Sequence, residues 1–560
     1  MAVPATRRSG GQILVDQLRL HGVTRAFGVP GESYLAVLDA LFDSSIDFVT
    51  CRHEGGAAMM AEATGKLTGR PGICFVTRGP GATNASAGVH IAFQDSTPLI
   101  LFIGQVARDQ RDREAFQEID YRRMFGQMSK WVAEVDDAAR LPEYVSRAFH
   151  VATAGRPGPV VLALPEDMLS DVFGVVDPAP YQPITVRPAT ADVDAIAARL
   201  ARASRPLAII GGGGWTAQAA ADIARFADAW DLPVATSFRC QDYLDNTHRC
   251  YAGHVGIGID AQLAERVRSA DVLLVIGARL GEMTTSGYKL LDIPKPRQAL
   301  IHVFADASEL GRVYQPEIGL VASPPAITAA LAETPPPFSV VPWAGAADAA
   351  HAGWREFNRP RPCAGDLQMA EIVAALRELT PPETVVANGA GNYAIWVHRF
   401  HRWQHYRSQL APTSGSMGYG VPAAIAAALA DRQRPVICFA GDGCFMMSAA
   451  ELATAVQLKA PVVFIVVNNG MYGTIRMHQE RRYPGRVSGT ALHNPDFAAL
   501  ARAFGMPGQR IDRTAAFAPA FAAALAADGP TLLELAINPE ALTPVETLSE
   551  IRAAAQANAP

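Results

Sequence analysis

Residues 441–469 read GDGCFMMSAAELATAVQLKAPVVFIVVNN, and what lies at the two ends of this stretch decides the fold. Residues 435–440 (PVICFA) are a short apolar run rich in β-branched residues that stops at Gly441-Asp442-Gly443, as a buried parallel strand does at its carboxyl end. Residues 447–459 follow with helical spacing at Met447, Leu452 and Val456. A second buried-strand run, 461–467 (PVVFIVV), is closed by Asn468-Asn469. The whole is one βαβ unit, whose right-handed crossover brings the second strand back parallel to the first. Asp442 and Asn469 then lie at one edge of one sheet, where a carboxylate and an amide oxygen can face a single hard cation. Mg2+ suits such a site, because it takes few protein oxygens and completes its octahedron with waters and ligand phosphates. Gly441 and Gly443 carry no Cβ, so phosphate oxygens can approach backbone N–H groups and the helix N-terminus. The expected ligand is a diphosphate held through Mg2+.

Gly-Asp-Gly alone is more often a turn than a metal site. With 24 intervening residues, flanking strands and the terminal Asn pair, it resembles the thiamine-diphosphate motif of the family that contains acetolactate synthase, pyruvate decarboxylase, benzoylformate decarboxylase and benzaldehyde lyase. The resemblance implies Asp442 and Asn469 as side-chain metal ligands and Met471 as a backbone-carbonyl ligand. It adds Gly441, Gly443, Cys444, Tyr472 and Gly473 to the coenzyme contacts.

A length of 560 residues suggests three to four domains. The net charge of −5, without a basic block, speaks against nucleic-acid or anionic-membrane partners. Seven scattered cysteines with no CxxC pair read as buried thiols in a reducing compartment. The N-terminal MAVPATRRSGGQ has no apolar segment after its arginines, and no apolar run reaches the roughly 18–20 residues that span a bilayer. A cytoplasmic α/β protein is expected.

Between residues 10 and 169, short apolar runs (26–29, 48–51, 73–76, 99–103) alternate with helical stretches (12–21, 33–42, 55–69), the pattern of a doubly wound parallel sheet. A Pro-rich passage at 177–188 reads as a linker. Residues 206–214 (PLAIIGGGG), 272–278 (VLLVIGA) and 300–304 mark a second α/β unit, and 334–343 (TPPPFSVVPW) a second linker. The expected fold is α/β with three doubly wound parallel-sheet domains: pyrimidine-binding over 1–175, central over 190–333, and diphosphate-binding over 364–560. The first and third read as a distant internal repeat without direct sequence match.

The coenzyme reacts at its thiazolium C2, and a carboxylate bonded to pyrimidine N1′ promotes loss of that proton if it sits in a dry pocket. Glu54, in CRHEGGAAMMAEA, resembles the family's glutamate after the second strand. On local residues alone it reads first as a helix-start acid stabilised by the dipole, and the 441–469 motif reverses that preference. Residues 415–420 (GSMGYG) resemble the element that bends the coenzyme, with Met417 as wedge and the Gly415 carbonyl as acceptor. Residues 388–393 (NGAGNY) resemble the loop that reaches the diphosphate, with Gly391, Asn392 and Tyr393 in contact.

The resemblance is closest to the acetolactate synthase large subunit, through RGPGATN (78–84), AFQE (115–118), RPGPV (156–160) and NPDFAALARAFG (494–505). It places Phe116 and Gln117 near C2, where a packed aromatic and a buried amide are the plainer alternatives. It also implies a dimer, commonly paired into a tetramer, with Glu54 of one chain meeting Asp442 of another. Four positions depart from that group. Glu32 replaces a glycine and resembles a proton-relaying acid of simple decarboxylases, and Arg78 replaces a small residue. Arg78 would pair with a substrate carboxylate, with Glu32 or with a helix end. Glu166 stands in place of a lysine, and His478 in place of a tryptophan that selects the second oxoacid. Gly211–Gly214 and Gly277-Ala278-Arg279 resemble part of an FAD surface, although a later arginine is Met283 here.

The resulting expectation is a thiamine diphosphate- and Mg2+-dependent enzyme acting on a 2-oxoacid or related carbonyl donor, an acetolactate synthase-like carboligase and hence a transferase. A simple 2-oxoacid decarboxylase or a benzaldehyde-type lyase is the runner-up, with aldehydes as products or acceptors. A coenzyme-binding paralogue without turnover is the rival from another class.

Overall fold

The computed structural model of the chain describes residues 7–558. Of these, residues 7–184 with 425–430, and 185–424 with 431–558, form two compact units. The first unit holds one six-stranded sheet and the second unit holds two, and all strand pairs within the three sheets are parallel. Strands Pro206–Ile210 and Val272–Ile276 show why they form where they do. Ala208, Ile210, Leu274 and Ile276 face one core, while Leu207, Ile209, Leu273 and Val275 face the other. Helices cover both faces, so the alternation of a strand is read out entirely in apolar residues. At about 1.5–3 kcal/mol per fully buried aliphatic side chain, strand Val462–Asn468, buried at its first six positions, contributes much of the third sheet's core.

In the first sheet the strands lie in the order Asp47–Thr50, Arg25–Gly28, Gly72–Val76, Leu99–Gln105, Pro159–Pro165, Trp131–Glu134. In the third the order is Gln409–Leu410, Val385–Asn388, Val436–Gly441, Val462–Asn468, Thr531–Ala536, Gly508–Ile511. Counted along the chain, both run second, first, third, fourth, sixth, fifth. The internal repeat is thus one of topology. Strand order reverses between the first and third strands of each copy, and just past the end of the third strand stand Arg78 in one and Asp442 in the other. The central sheet differs, running third, second, first, fourth, fifth, sixth.

Three local features depart from the expected elements. The helix foreseen over 447–459 is broken: a short helix starts at Asp442 itself (Asp442–Met446), and another resumes at Leu452–Gln457. The cause is Gly418, whose carbonyl accepts the Ser448 hydroxyl at 2.8 Å while the chain swings out of helical geometry at Ser448. Met447, expected on the buried face, is 54% exposed. Arg7–Ser9 pairs antiparallel with Val172–Gly174. Beyond the second linker, helix Ala346–Phe357 packs on the central sheet, with the Trp354 ring edge-on to Tyr251 at 5.1 Å. Among the described residues no helix is long and apolar enough to cross a membrane.

Candidate active site

The carboxyl edge of the third sheet opens into a cavity of about 240 Å³. Asp442, 3% exposed, enters it as the first residue of a helix, its carboxylate fixed from three directions. Oδ1 accepts from Gly443 N at 2.8 Å, and Oδ2 accepts from Gly470 N at 2.9 Å and from Asn494 Nδ2 at 2.8 Å. Burial pushes its carboxyl up, and these hydrogen bonds hold it down toward the ionised form. The two asparagines at the end of the next strand divide their work. Asn468 turns inward, donating to Glu534 Oε1 at 2.8 Å and accepting from Asn494 Nδ2 at 3.0 Å. Asn469 lines the cavity, its Oδ1 accepting from Met471 N at 3.2 Å. Residues 470–472 are tied back to 490–492 by Leu492 N to Gly470 O and Tyr472 N to Thr490 O, which leaves the Met471 carbonyl outside that ladder. An aspartate carboxylate, an asparagine amide oxygen and a backbone carbonyl are a donor set that matches a small hard cation.

The two glycines of the motif each back onto a tyrosine. A Cβ at Gly441 would lie 2.5 Å from the Tyr393 ring, and one at Gly443 would lie 2.5 Å from the Tyr472 ring. Tyr393 is tied in by Gly389 N, which donates to its hydroxyl at 3.0 Å, and by its own donation to Cys444 Sγ at 3.1 Å. Burial raises its phenol well above the ordinary range, so it stays a donor. Cys444 Sγ also accepts from Gly418 N at 3.2 Å, which seats the Gly415–Gly418 turn beside the cavity. Gly415, Met417, Gly391 and Gly473 all line it, whereas the Asn392 amide is already engaged by Thr474 Oγ1 at 2.8 Å and by the Met477 sulfur. Every residue on the third sheet's side expected to touch the coenzyme therefore borders one cavity.

On the first sheet, Glu54 opens helix Glu54–Thr68 and is partly buried. Its Oε2 accepts from Asn84 Nδ2 at 2.9 Å, and a Cβ at Gly81 would sit 3.4 Å from Oε1. Arg78, buried, is fully committed within the unit. It donates to Glu166 Oε2 at 2.8 Å, to the Phe116 carbonyl at 3.2 Å and to Glu32 Oε1 at 3.4 Å. Glu32, Arg78 and Glu166 stand just past three different strand ends, so one guanidinium is shared by two carboxylates along one edge. Gly79 follows at φ +59°, and a Cβ there would meet the Gln117 Cβ at 2.7 Å, with Gln117 itself at φ +66°. Only glycine permits that approach. Phe116, expected in the pocket, is 72% exposed. His478 is exposed on helix Gly473–Arg482 and does not line the cavity.

Asn494 and Asn84, which orient Asp442 and Glu54, went unnoticed in the sequence although both lie inside quoted motifs. A different cluster, Asp228, His248 and Cys250, brings three metal-type ligands together. However, His248 Nδ1 accepts from Cys250 N at 3.2 Å and Nε2 faces Asp228 at 3.1 Å. Its one proton is on the carboxylate side, so no ring lone pair is left for an ion.

Residues 8–124, 193–331 and 389–535 match in turn the family descriptions thiamine pyrophosphate enzyme N-terminal TPP binding domain, central domain, and C-terminal TPP binding domain. The acetolactate synthase isozyme 2 large subunit of Escherichia coli (strain K12) is 32% identical over 542 residues, covering 95% of this chain and 96% of that one. The chain belongs to the thiamine pyrophosphate enzymes of the acetolactate synthase type. The acetolactate synthase large subunit of Parasynechococcus marenigrum is 32% identical (94% and 87% covered), and the acetolactate synthase of Bacillus subtilis is 28% identical (95% and 94% covered). As a thiamine pyrophosphate enzyme of this type, it performs decarboxylation or carboligation.

Proposed function

We propose that the chain is a Mg2+-dependent carboligase that takes a 2-oxoacid or related carbonyl donor and joins it to an acceptor carbonyl. The observation that carries the reading is the convergence of Asp442, Asn469 and Met471 on one cavity whose other walls are Gly391, Tyr393, Gly415, Met417, Cys444, Tyr472 and Gly473. In this reading Asp442, Asn469 and Met471 would hold Mg2+, and Asn494 fixes the orientation of the Asp442 carboxylate. Met417, packed on the third sheet's core, supplies a fixed wedge. Bound here, thiamine diphosphate supplies an acidic C2 and an electron sink for the cleaved bond. Glu54 holds the proton at the aminopyrimidine end, with Asn84 fixing one oxygen and leaving the other toward the Gly81 side. Active sites completed by a second copy of the chain, in a homodimer or homotetramer, belong to this proposal, as do a cytoplasmic location and the domain bounds 1–175, 190–333 and 364–560.

A simple decarboxylase or hydroxyketone lyase remains the second reading because Glu32, with a side chain 66% exposed, is held by Arg78 only at 3.4 Å and is free to move a proton. The test is a calorimetric titration with thiamine diphosphate and Mg2+, followed by a 2-oxoacid and aldehyde screen with products identified by mass spectrometry. Acyloin or acetohydroxyacid products support the first reading and free aldehyde alone the second. Coenzyme binding without turnover of any donor would count against both readings.

A further inference from the structure

A doubly wound sheet takes a nucleotide in the crevice beyond its carboxyl edge where strand order reverses. In the central sheet that place lies between strands Pro206–Ile210 and Val272–Ile276, past whose ends stand the two turns expected as a flavin surface, Gly211–Gly214 and Gly277-Ala278-Arg279. A dinucleotide needs open volume there, backbone N–H groups free to face phosphate, and an open helix N-terminus. The chain makes contacts of its own at each of these places.

Two aromatic rings pack against the first turn. Trp215, 2% exposed, donates its indole N–H to the Gly211 carbonyl at 2.8 Å. Tyr243 donates its hydroxyl to the Gly212 carbonyl at 2.6 Å, and the two rings lie 5.5 Å apart. The turns press backbone to backbone: a Cβ at Gly212 would be 1.9 Å from the Gly277 carbonyl, and one at Gly277 would be 2.6 Å from the Gly211 carbonyl. These glycines therefore make room for each other rather than for a ligand. The first amide of each turn is spent as well, Gly211 N on Ile276 O at 3.2 Å and Gly277 N on Val303 O at 2.9 Å. The following helix, Ala217–Ala229, is capped by Thr216, whose hydroxyl accepts from Ala219 N at 3.1 Å. On the second turn His302 Nε2 donates to the Ala278 carbonyl at 3.0 Å.

The same edge receives residues 403–409, which lead into edge strand Gln409–Leu410 of the third sheet. Tyr406 packs edge-on against Tyr243 at 5.4 Å. Asp242 Oδ2 accepts from Ser408 N at 3.0 Å and Gln409 N at 3.2 Å, and Gln241 N donates to Gln409 Oε1 at 2.8 Å. Asn246 N donates to the Trp403 carbonyl at 2.8 Å, and Asn246 Oδ1 accepts from Trp403 N at 3.1 Å.

We infer that the central sheet takes no dinucleotide and that its ligand edge is an internal docking surface, closed by Trp215 and Tyr243, which seats residues 403–409 beside the third sheet. The family's flavin thus has no place in this chain, and no step depends on one.

The test measures flavin released by acid from the purified full-length protein and the shift in Tm on adding millimolar FAD or NADH. It compares the parent with Tyr243→Phe and Asp242→Ala. The expected result is flavin far below one per chain, no Tm shift with either dinucleotide, and a Tm several degrees lower in both variants without any ligand. Near-stoichiometric flavin, or a parent stabilised by several degrees with FAD, overturns the exclusion. Variants that melt with the parent overturn the docking role. A thiamine diphosphate and Mg2+ titration of the same sample reports separately on the third-sheet cavity, so the two readings fail independently.

Discussion

Asn494 donates from Nδ2 to the Asp442 carboxylate at 2.8 Å, and the same nitrogen lies 3.0 Å from Asn468 Oδ1. One amide therefore sets the carboxylate at the end of one strand and the asparagine at the end of the next. Asn494→Ala should weaken Mg2+-dependent coenzyme binding about 10- to 100-fold, the usual effect of losing an orienting partner of a metal ligand. Asp442→Ala should abolish it. Calorimetry at fixed Mg2+ checks both, and unchanged affinity in Asn494→Ala would remove its orienting role.

Gly443→Ala tests the tyrosine backing. The new methyl meets the Tyr472 ring at 2.5 Å and has to push it aside. Overpacking of this kind costs about 1–3 kcal/mol, and because Tyr472 lines the cavity the loss should show in coenzyme affinity as well as in Tm. A lowered Tm with parental affinity would mean that the ring yields away from the cavity.

Glu54→Gln should slow proton exchange at the coenzyme's C2 by about 10²- to 10⁴-fold, the range for a lost acid–base group, while Kd for the coenzyme stays near the parent's. Exchange of the bound coenzyme into deuterated water, followed by NMR, measures it. Exchange at the parental rate would return Glu54 to a plain helix-start acid.

Glu32 and Glu166 share Arg78 unequally, and exposure decides what each is worth. Glu166, at 2.8 Å and 33% exposed, should cost about 1 kcal/mol when changed to Gln. Glu32, at 3.4 Å and 66% exposed, should cost less than about 0.5 kcal/mol. Glu32→Gly should instead move products from aldehyde toward acyloin. Denaturant midpoints and product ratios separate the two effects, and an unchanged ratio would make Glu32 an ordinary surface acid.

Glu480, with its side chain fully buried, accepts from Arg552 at 2.7 and 2.9 Å, from Arg476 at 3.0 Å and from Gly485 N at 2.8 Å. The Arg552 guanidinium first, then these other donors, hold its carboxyl down at about 2. A carboxyl depressed in the folded state stabilises it fully above the unfolded value of about 4.3, and that stabilisation drains away as pH falls from there through about 2. Glu480→Gln should therefore lower stability by about 3 kcal/mol at neutral pH, and the gap from the parent should close on acidification toward pH 2. A gap that is constant with pH would assign the loss to packing.

The strands were legible because both faces of each sheet are covered, so runs such as 462–467 are apolar without interruption. The topological kinship of the first and third sheets was legible as an alternation, but its strand order was not, since pairing leaves no local mark. The break at Ser448 was invisible because its cause, the Gly418 carbonyl, lies 30 residues away. Asn494 was hidden inside Asn-Pro-Asp, which reads as a turn and a cap, and Asp496 does cap the next helix by accepting from Ala499 N at 2.8 Å. The sequence left Arg78 three possible partners. Folding chose two carboxylates, the nearer one from a strand end 88 residues downstream.

Arg78 in the first sheet and Asp442 in the third stand at matching places in two copies of one plan, with opposite sign. Arg78 is already neutralised by Glu166 and Glu32, whereas the Asp442 carboxylate is held by neutral N–H donors alone, so of the two matching places the second keeps its charge for a divalent ion.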